Sequence, residues 1–420
     1  MGMSAAEGTE WQGTTRWLAG FCLARLGFST IFTTYAAAMP LLIVDWHMTA
    51  SQAGLVNSAY HLGYLTSLFI VGFLADSIGA KRTYLFASIA AASSALTFAF
   101  FAHSFHSGLL LYGLTGLLSG GSYTPGLTII AQQFHPARRG RAIGFYLAAA
   151  SAGYAASLLL SSIFMRVSGW RAAFLVTALG PLAGALMGYW MLRGTANVIV
   201  PRHVGAAASG MVTALFRNNA AVLIVLSYVF HSWELLGLWA WIPFFLAFVA
   251  GGGRQTAGAA SLGAGFSALT YLVSVGGPIL GGTLSDRVGR GTVIIVMATL
   301  SVICSFTIGW LVTMPLWLVV LVAFLYQFTS IADSPVLSTA VTEVVEPRYL
   351  GAAYSIRSVL GFGAGAISPW VFGMVVDWGR ALSTPSPMLT WGLAFGVLGL
   401  GGCMAPLCIL RMRALPGGYR

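Results

Sequence analysis

The sequence predicts an all-α membrane protein of twelve transmembrane helices in two pseudo-symmetric six-helix bundles. Three observations carry that expectation. Hydrophobic residues make up 58% of the 420-residue chain and charged residues only 7%, against about 25% charged in an ordinary soluble domain. So few charges do not solvate a globular surface of this size, and lipid must cover most of it. The apolar residues also come in runs of roughly 20, the length of a helix crossing about 30 Å of hydrocarbon, and not in the ~10-residue alternating strands of a barrel. Finally, a short polar motif occurs twice, its aspartates Asp76 and Asp286 half a chain apart.

The runs, in order, are 17–43, 52–74, 84–102, 108–131, 142–166, 171–193, 218–249, 258–281, 292–313, 315–341, 351–376 and 388–412. Residues 1–16 carry Glu7 and Glu10 but lack the basic start of a signal peptide, and read as a short cytoplasmic tail. Residues 17–193 form the N-terminal six-helix bundle. Residues 194–217, with Thr195, Pro201, Arg202 and His203, form a cytoplasmic linker too short to be a domain. Residues 218–420 form the C-terminal bundle and a short cytoplasmic tail.

The net charge of +11 raises the question of nucleic acid, and its placement answers it. Lys81, Arg82, Arg138, Arg139, Arg141, Arg193, Arg202, Arg217, Arg287, Arg290, Arg348, Arg411, Arg413 and Arg420 fall in alternate loops. The opposite loops hold only Arg166, Arg171, Arg254 and Arg380. This is the positive-inside pattern of a multi-pass protein of the plasma (inner) membrane with both termini cytoplasmic. The basic balance is a topology signal, and no nucleic-acid partner is expected. Cys22, Cys304, Cys403 and Cys408 fall inside runs, as small buried hydrophobes, with neither metal spacing nor a disulfide framework. No nucleophile–base constellation stands out, so neither an enzyme nor a cofactor or metal is expected.

The repeated motif reads Gly72-Phe-Leu-Ala-Asp76-Ser-Ile-Gly79-Ala-Lys81-Arg82 and Gly282-Thr-Leu-Ser-Asp286-Arg287-Val-Gly289-Arg290. Further landmarks keep nearly the same offset: Pro136 and Gly140 match Pro347 and Gly351, and Gly169-Trp170-Arg171 matches Asp377-Trp378-Gly379-Arg380. Across essentially the whole chain this arrangement resembles the major facilitator superfamily, whose loop after the second span follows G-x-L-[AGS]-D-[RK]-x-G-[RK]-[RK]. The departures are Ser77 and Ala80, where a basic residue is usual. The resemblance implies a secondary transporter working by alternating access, with substrate at the midplane between the halves. It also implies a cytoplasmic gate. By two-fold symmetry Asp76 faces the start of the eleventh span and Asp286 the start of the fifth, each favoured by the positive end of a helix dipole. The proton-driven drug exporters of that family carry an arginine in the fourth span and a Gly-Pro kink in the fifth. This chain has Leu110-Leu111-Tyr112-Gly113 and Ala152-Gly153-Tyr154-Ala155 there, which counts against a drug/proton antiporter.

Ionisable residues at membrane depth are costly and usually face a bundle interior or a wet cavity. Arg25 lies in the first span, His61 in the second, His231 and Glu234 in the seventh, Asp333 in the tenth and Arg357 in the eleventh. Helical spacing puts Asn57, His61 and Tyr64 on one face, groups His231 with Glu234 beside Trp233, and groups Tyr326 with Asp333. With Tyr271 these are expected to line a polar cavity. Glu234 is the expected proton-coupling carboxyl, since desolvation favours the neutral form of a carboxyl. Asp333 and Arg357 read equally well as a structural ion pair, and His61 reads better as a packing residue than as a proton carrier. Arg25 and Arg357 suit a carboxylate through bidentate hydrogen bonds. No G-x-x-x-x-G-K-[ST] occurs, so a gradient must drive transport. The leading expectation is proton-coupled symport of a small organic anion by a monomer. The alternative is efflux of a lipophilic or cationic compound by proton antiport, with Glu234 and Asp333 as counter-charges and tryptophans as the stacking surface. A receptor that moves nothing is disfavoured by the absence of any long loop.

Overall fold

The computed structural model describes residues 13–199, 217–346 and 349–415. Most of the expected tail, residues 200–216 of the expected linker, and Pro347-Arg348 lie outside them. The described chain is helical and contains no strand. The first half comprises α1 (Thr15–Ser29), α2 (Thr34–Asp45), α3 (Ala50–Ile78), α4 (Ala80–Phe101), α5 (Phe105–Ser119), α6 (Thr124–Gln133) and α7 (Pro136–Leu192). The second comprises α8 (Asn219–Ala250), α9 (Ala257–Ser274), α10 (Gly276–Val288), α11 (Arg290–Ile308), α12 (Leu316–Ala332), α13 (Ser334–Val344), α14 (Leu350–Arg380), α15 (Pro387–Gly402) and α16 (Met404–Arg413).

Ten helical stretches are long and apolar enough to cross a membrane. The expected count of twelve is reached by two adjustments. The 57 residues of α7 contain a break at Ser168 (φ −138°) and Gly169 (φ 74°), so it is two arms, each long enough for one crossing. Helices α5 and α6 are separately too short and together make one crossing, interrupted by a 3₁₀ turn at Gly120–Ser122. Large apolar side chains such as Ile279 and Leu400 remain more than 60% exposed, as a lipid-facing belt requires.

Several spans are broken, and two of the breaks are related by the repeat. Pro125 opens α6 and Pro335 opens α13, and proline cannot donate the backbone hydrogen bond that would continue the preceding helix. The same offset relates these prolines (335 − 125 = 210) and the motif aspartates (286 − 76 = 210). The motif glycines have a backbone cause as well. Gly79 joins α3 to α4 at φ 92° and Gly289 joins α10 to α11 at φ 91°, a conformation that glycine adopts without the Cβ penalty.

Within the first half α1 packs on α7 and α3 on α5; within the second α8 packs on α9, α14 and α16. The halves meet where α3 lies on α14 and α7 on α9. A Cβ on Gly54 would collide with the backbone of Pro369, and one on Gly373 with that of Ala50, so α3 and α14 touch backbone to backbone. Above this contact the Asp377 carboxylate accepts from the backbone N–H groups of Ala50 (2.8 Å) and Ser51 (2.7 Å). These are unsatisfied donors at the positive end of α3, and the carboxylate comes from the other half. Ser162 of α7 likewise donates to the Ser261 carbonyl of α9 at 2.7 Å. All these contacts lie at the end of the bundle remote from the two motifs.

A cap of this kind is worth roughly 0.5–2 kcal/mol. Asp377→Ala should therefore shift the balance between conformations away from the one closed at this end, by roughly five-fold. Spin-label distances between the ends of α3 and α14 read that shift; an unchanged distance distribution would show that the cap does not hold the halves together.

Candidate functional site

Between the halves lies a cavity of ≈ 190 Å³. The α5–α6 break builds one wall. The 3₁₀ turn directs Ser122 and Tyr123 towards α1, where Arg25 is only 4% exposed. Arg25 Nη1 donates to the Ser122 hydroxyl. The guanidinium sits 5.9 Å from the centroid of the Tyr123 ring and 5.5 Å from that of Tyr146. Its Nε has no partner and, among the described residues, no carboxylate pairs with it.

The α12–α13 break builds the facing wall, and here one expectation is corrected. Asp333 does not pair with Arg357. At the break before Pro335 its carboxylate turns to α8, where Oδ1 lies 2.9 Å from His231 Nδ1 with both side chains buried. The contact is off hydrogen-bond alignment. Arg357 donates to Ser338 Oγ (2.8 Å) and stacks 4.0 Å above the Tyr228 ring, its Nε unpartnered. It too lacks a carboxylate among the described residues.

Of the residues expected to line the cavity, Arg25, Tyr64 and His231 do so. Asp333 stands behind His231, and Arg357 behind Tyr228. Glu234 turns away: its carboxylate accepts from Ser301 Oγ of α11 (2.9 Å) and lies against Gly402 of α15. Three residues along a helix leave it about 60° round from His231. Because α8 is packed on nearly every side, that rotation is enough to leave the cavity for the interior of the second half. Trp233 donates to the Val397 carbonyl (3.3 Å) and Tyr326 to Ser305 Oγ (2.8 Å), both within that interior. Asn57 is buried in α3, and His61 packs edge-on against Phe32 (5.6 Å). Tyr271 is buried with its ring 5.5 Å from Trp239. Tyr123 and Tyr228 line the cavity and were not expected. For Tyr123 a signal existed, since it is the repeat mate of Asp333 (333 − 123 = 210).

At the motif end Lys81 donates to the Thr195 carbonyl (2.9 Å), and Asn197 donates to the Ile78 carbonyl (2.7 Å). The first motif thus holds the chain as it leaves α7. Asp76 is half-buried. Asp286 pairs with Arg290 (2.5 Å) and is 66% exposed, while Arg290 Nε reaches Glu343 (3.2 Å). In this conformation Asp286 is therefore held by its own motif and not by the start of the fifth span. Arg287 is exposed, and the Arg82 backbone N–H donates over a long 3.4 Å to Asn197 Oδ1. Around Gly72 and Gly282 there is open space: a Cβ on either meets nothing within 4 Å.

Two helical halves, each crossing the membrane repeatedly and closing at one end over a central polar–aromatic cavity, define a membrane transporter for small molecules. The chain belongs to the Major Facilitator Superfamily, whose family model matches residues 20–369. It is 25% identical over 397 residues to a probable sulfoacetate transporter of Cupriavidus necator, covering 89% of this chain and 88% of the relative. It is 24% identical to a probable 4-methylmuconolactone transporter of Cupriavidus pinatubonensis, covering 79% and 77%. Among solved structures, the D-xylose–proton symporter superposes with a TM-score of 0.74 at 16% identity, covering 93% of this chain and 96% of the symporter. A bacterial homologue of the human lysosomal transporter Spinster, in an inward-facing and unoccupied conformation, superposes with a TM-score of 0.73 at 16% identity, covering 94% and 98%.

Proposed function

We propose that this transporter carries a small organic anion across the inner membrane by alternating access, coupled to protons. The observation that carries the reading is Arg25, a buried cation on the cavity wall with no carboxylate among the described residues. Removing a guanidinium from water costs several kcal/mol unless an opposite charge compensates, and a bound anion supplies that charge. Arg357 adds a second cation behind Tyr228, without a carboxylate partner among the described residues. The names of the relatives point the same way, since sulfoacetate is an anion at neutral pH. Efflux of a cation fits less well: Glu234 faces away from the cavity, and Asp333 is held by His231.

The His231–Asp333 pair is the better coupling site. The imidazole lines the cavity and the carboxylate stands behind it, so a proton taken up with the anion sits next to the substrate and is stabilised from the far side. Residues 17–193 and 218–420 rock as units joined by the 194–217 linker, within a single monomer. The motif end faces the cytoplasm, because the cations cluster there. When that end closes, Asp76 and Asp286 reach the starts of the eleventh and fifth spans, and the open space around Gly72 and Gly282 fills.

Arg25→Gln removes charge-assisted hydrogen bonds worth about 1.5–3 kcal/mol, so organic anions should bind roughly ten- to a hundred-fold more weakly. Thermal unfolding against a panel of organic anions and lipophilic cations checks this; if cations stabilise the protein and Arg25→Gln changes nothing, efflux becomes the working reading. In proteoliposomes, His231→Gln should stop an imposed inward proton gradient from driving uptake while leaving substrate exchange, and Glu234→Gln should keep the gradient response. The reverse pattern moves coupling to Glu234. Gly72→Leu and Gly282→Leu should fold and bind as the wild type does, since each side chain enters open space here. Transport should nevertheless fall at least about ten-fold, because the closed state is blocked; wild-type turnover would rule out close approach at these glycines.

A further inference from the structure

We infer that the transported anion bears a flat ring, an aromatic carboxylate or a close cyclic analogue; this rests on the anion reading above. The roof of the cavity is made of three aromatic side chains drawn from both halves. Phe32, between α1 and α2, stacks on Tyr154 of α7 with centroids 4.3 Å apart. Trp239 of α8 meets Phe32 edge-on at 5.9 Å and Tyr154 at 5.9 Å. Lower down, Tyr64 of α3 and Phe362 of α14 face each other across the halves at 6.3 Å. All five rings line the cavity, whose charge is concentrated on the Arg25 wall.

This lining selects by chemistry. A polyol or a compact dianion would have to give up water against ring faces that offer few hydrogen bonds in return, a loss that costs affinity. A ring replaces that water with offset-stacked and edge-to-face contacts. Size agrees: a dry apolar cavity of about 150 Å³ admits benzene, and ≈ 190 Å³ leaves room for a carboxylate beside it. The Trp239 indole N–H is buried and has no acceptor among the described residues. Because the rings that close the roof belong to opposite halves, a ring held among them also bridges the halves.

The test uses the purified full-length chain in lipid nanodiscs and measures thermal stabilisation by benzoate, 4-hydroxybenzoate, acetate, succinate and benzamide. The aromatic acids should give half-maximal stabilisation at a concentration at least ten-fold below that of acetate or succinate. Trp239→Leu should erase that ten-fold preference, and Arg25→Gln should weaken every acid. Phe362→Leu, at the cavity edge, reads the same preference if Trp239→Leu fails to fold. If the aromatic acids bind no better than the aliphatic ones, or not at all, the ring inference falls, and succinate binding that needs Arg25 leaves the anion reading standing. If benzamide binds as well as benzoate and survives Arg25→Gln, the anion reading falls with it.

Discussion

A polypeptide in hydrocarbon must satisfy its own backbone hydrogen bonds, and the rest of this structure depends on that constraint. It leaves the helix as the only form for the long apolar runs, and it allows irregular backbone only where protein or a cavity surrounds it. The α5–α6 and α12–α13 breaks obey the rule: both lie at the central cavity, between the halves and away from lipid. At each break the chain presents groups that a continuous helix would have spent on itself or turned elsewhere. One break presents Ser122 and Tyr123 to Arg25; its repeat mate presents Asp333 to His231.

The two walls so built are chemically unequal although topologically equivalent. The first holds a guanidinium set among hydroxyls and aromatic faces, with no carboxylate among the described residues; the second holds an imidazole backed by a carboxylate. Duplication provided matching positions, and divergence gave one wall a standing positive charge and the other a group able to exchange a proton. In the anion carrier we propose, the charge that attracts the substrate and the group that moves the proton would not compete for the same atom.

The interface between the halves is unequal along its depth. Remote from the motifs, α3 and α14 touch through Gly54 and Gly373, and Asp377 caps α3 from the opposite half. At the motif end Gly72 and Gly282 border open space, and Asp286 is occupied by Arg290. Gly54 and Gly72 stand at opposite ends of α3, which suits a contact made at one end at a time.

By itself the sequence determined the solvent, the approximate spans, the duplication and the family, because these follow from one-dimensional quantities: run length, charge density and a motif at a constant offset. It also placed Gly79 and Gly289, whose positive φ any L side chain would resist. What only the tertiary structure decided is which way individual side chains point. Glu234 lies about 60° from His231 on a helix packed on nearly every side, and hydropathy carries no phase where every face is buried. The pairing of Asp333 with His231 instead of Arg357 was likewise undecidable from spacing, since the partners come from different helices and the kink before Pro335 sets the direction of the carboxylate. Such choices belong to three-dimensional packing, in which a rotation of a sixth of a turn separates a cavity wall from a bundle interior.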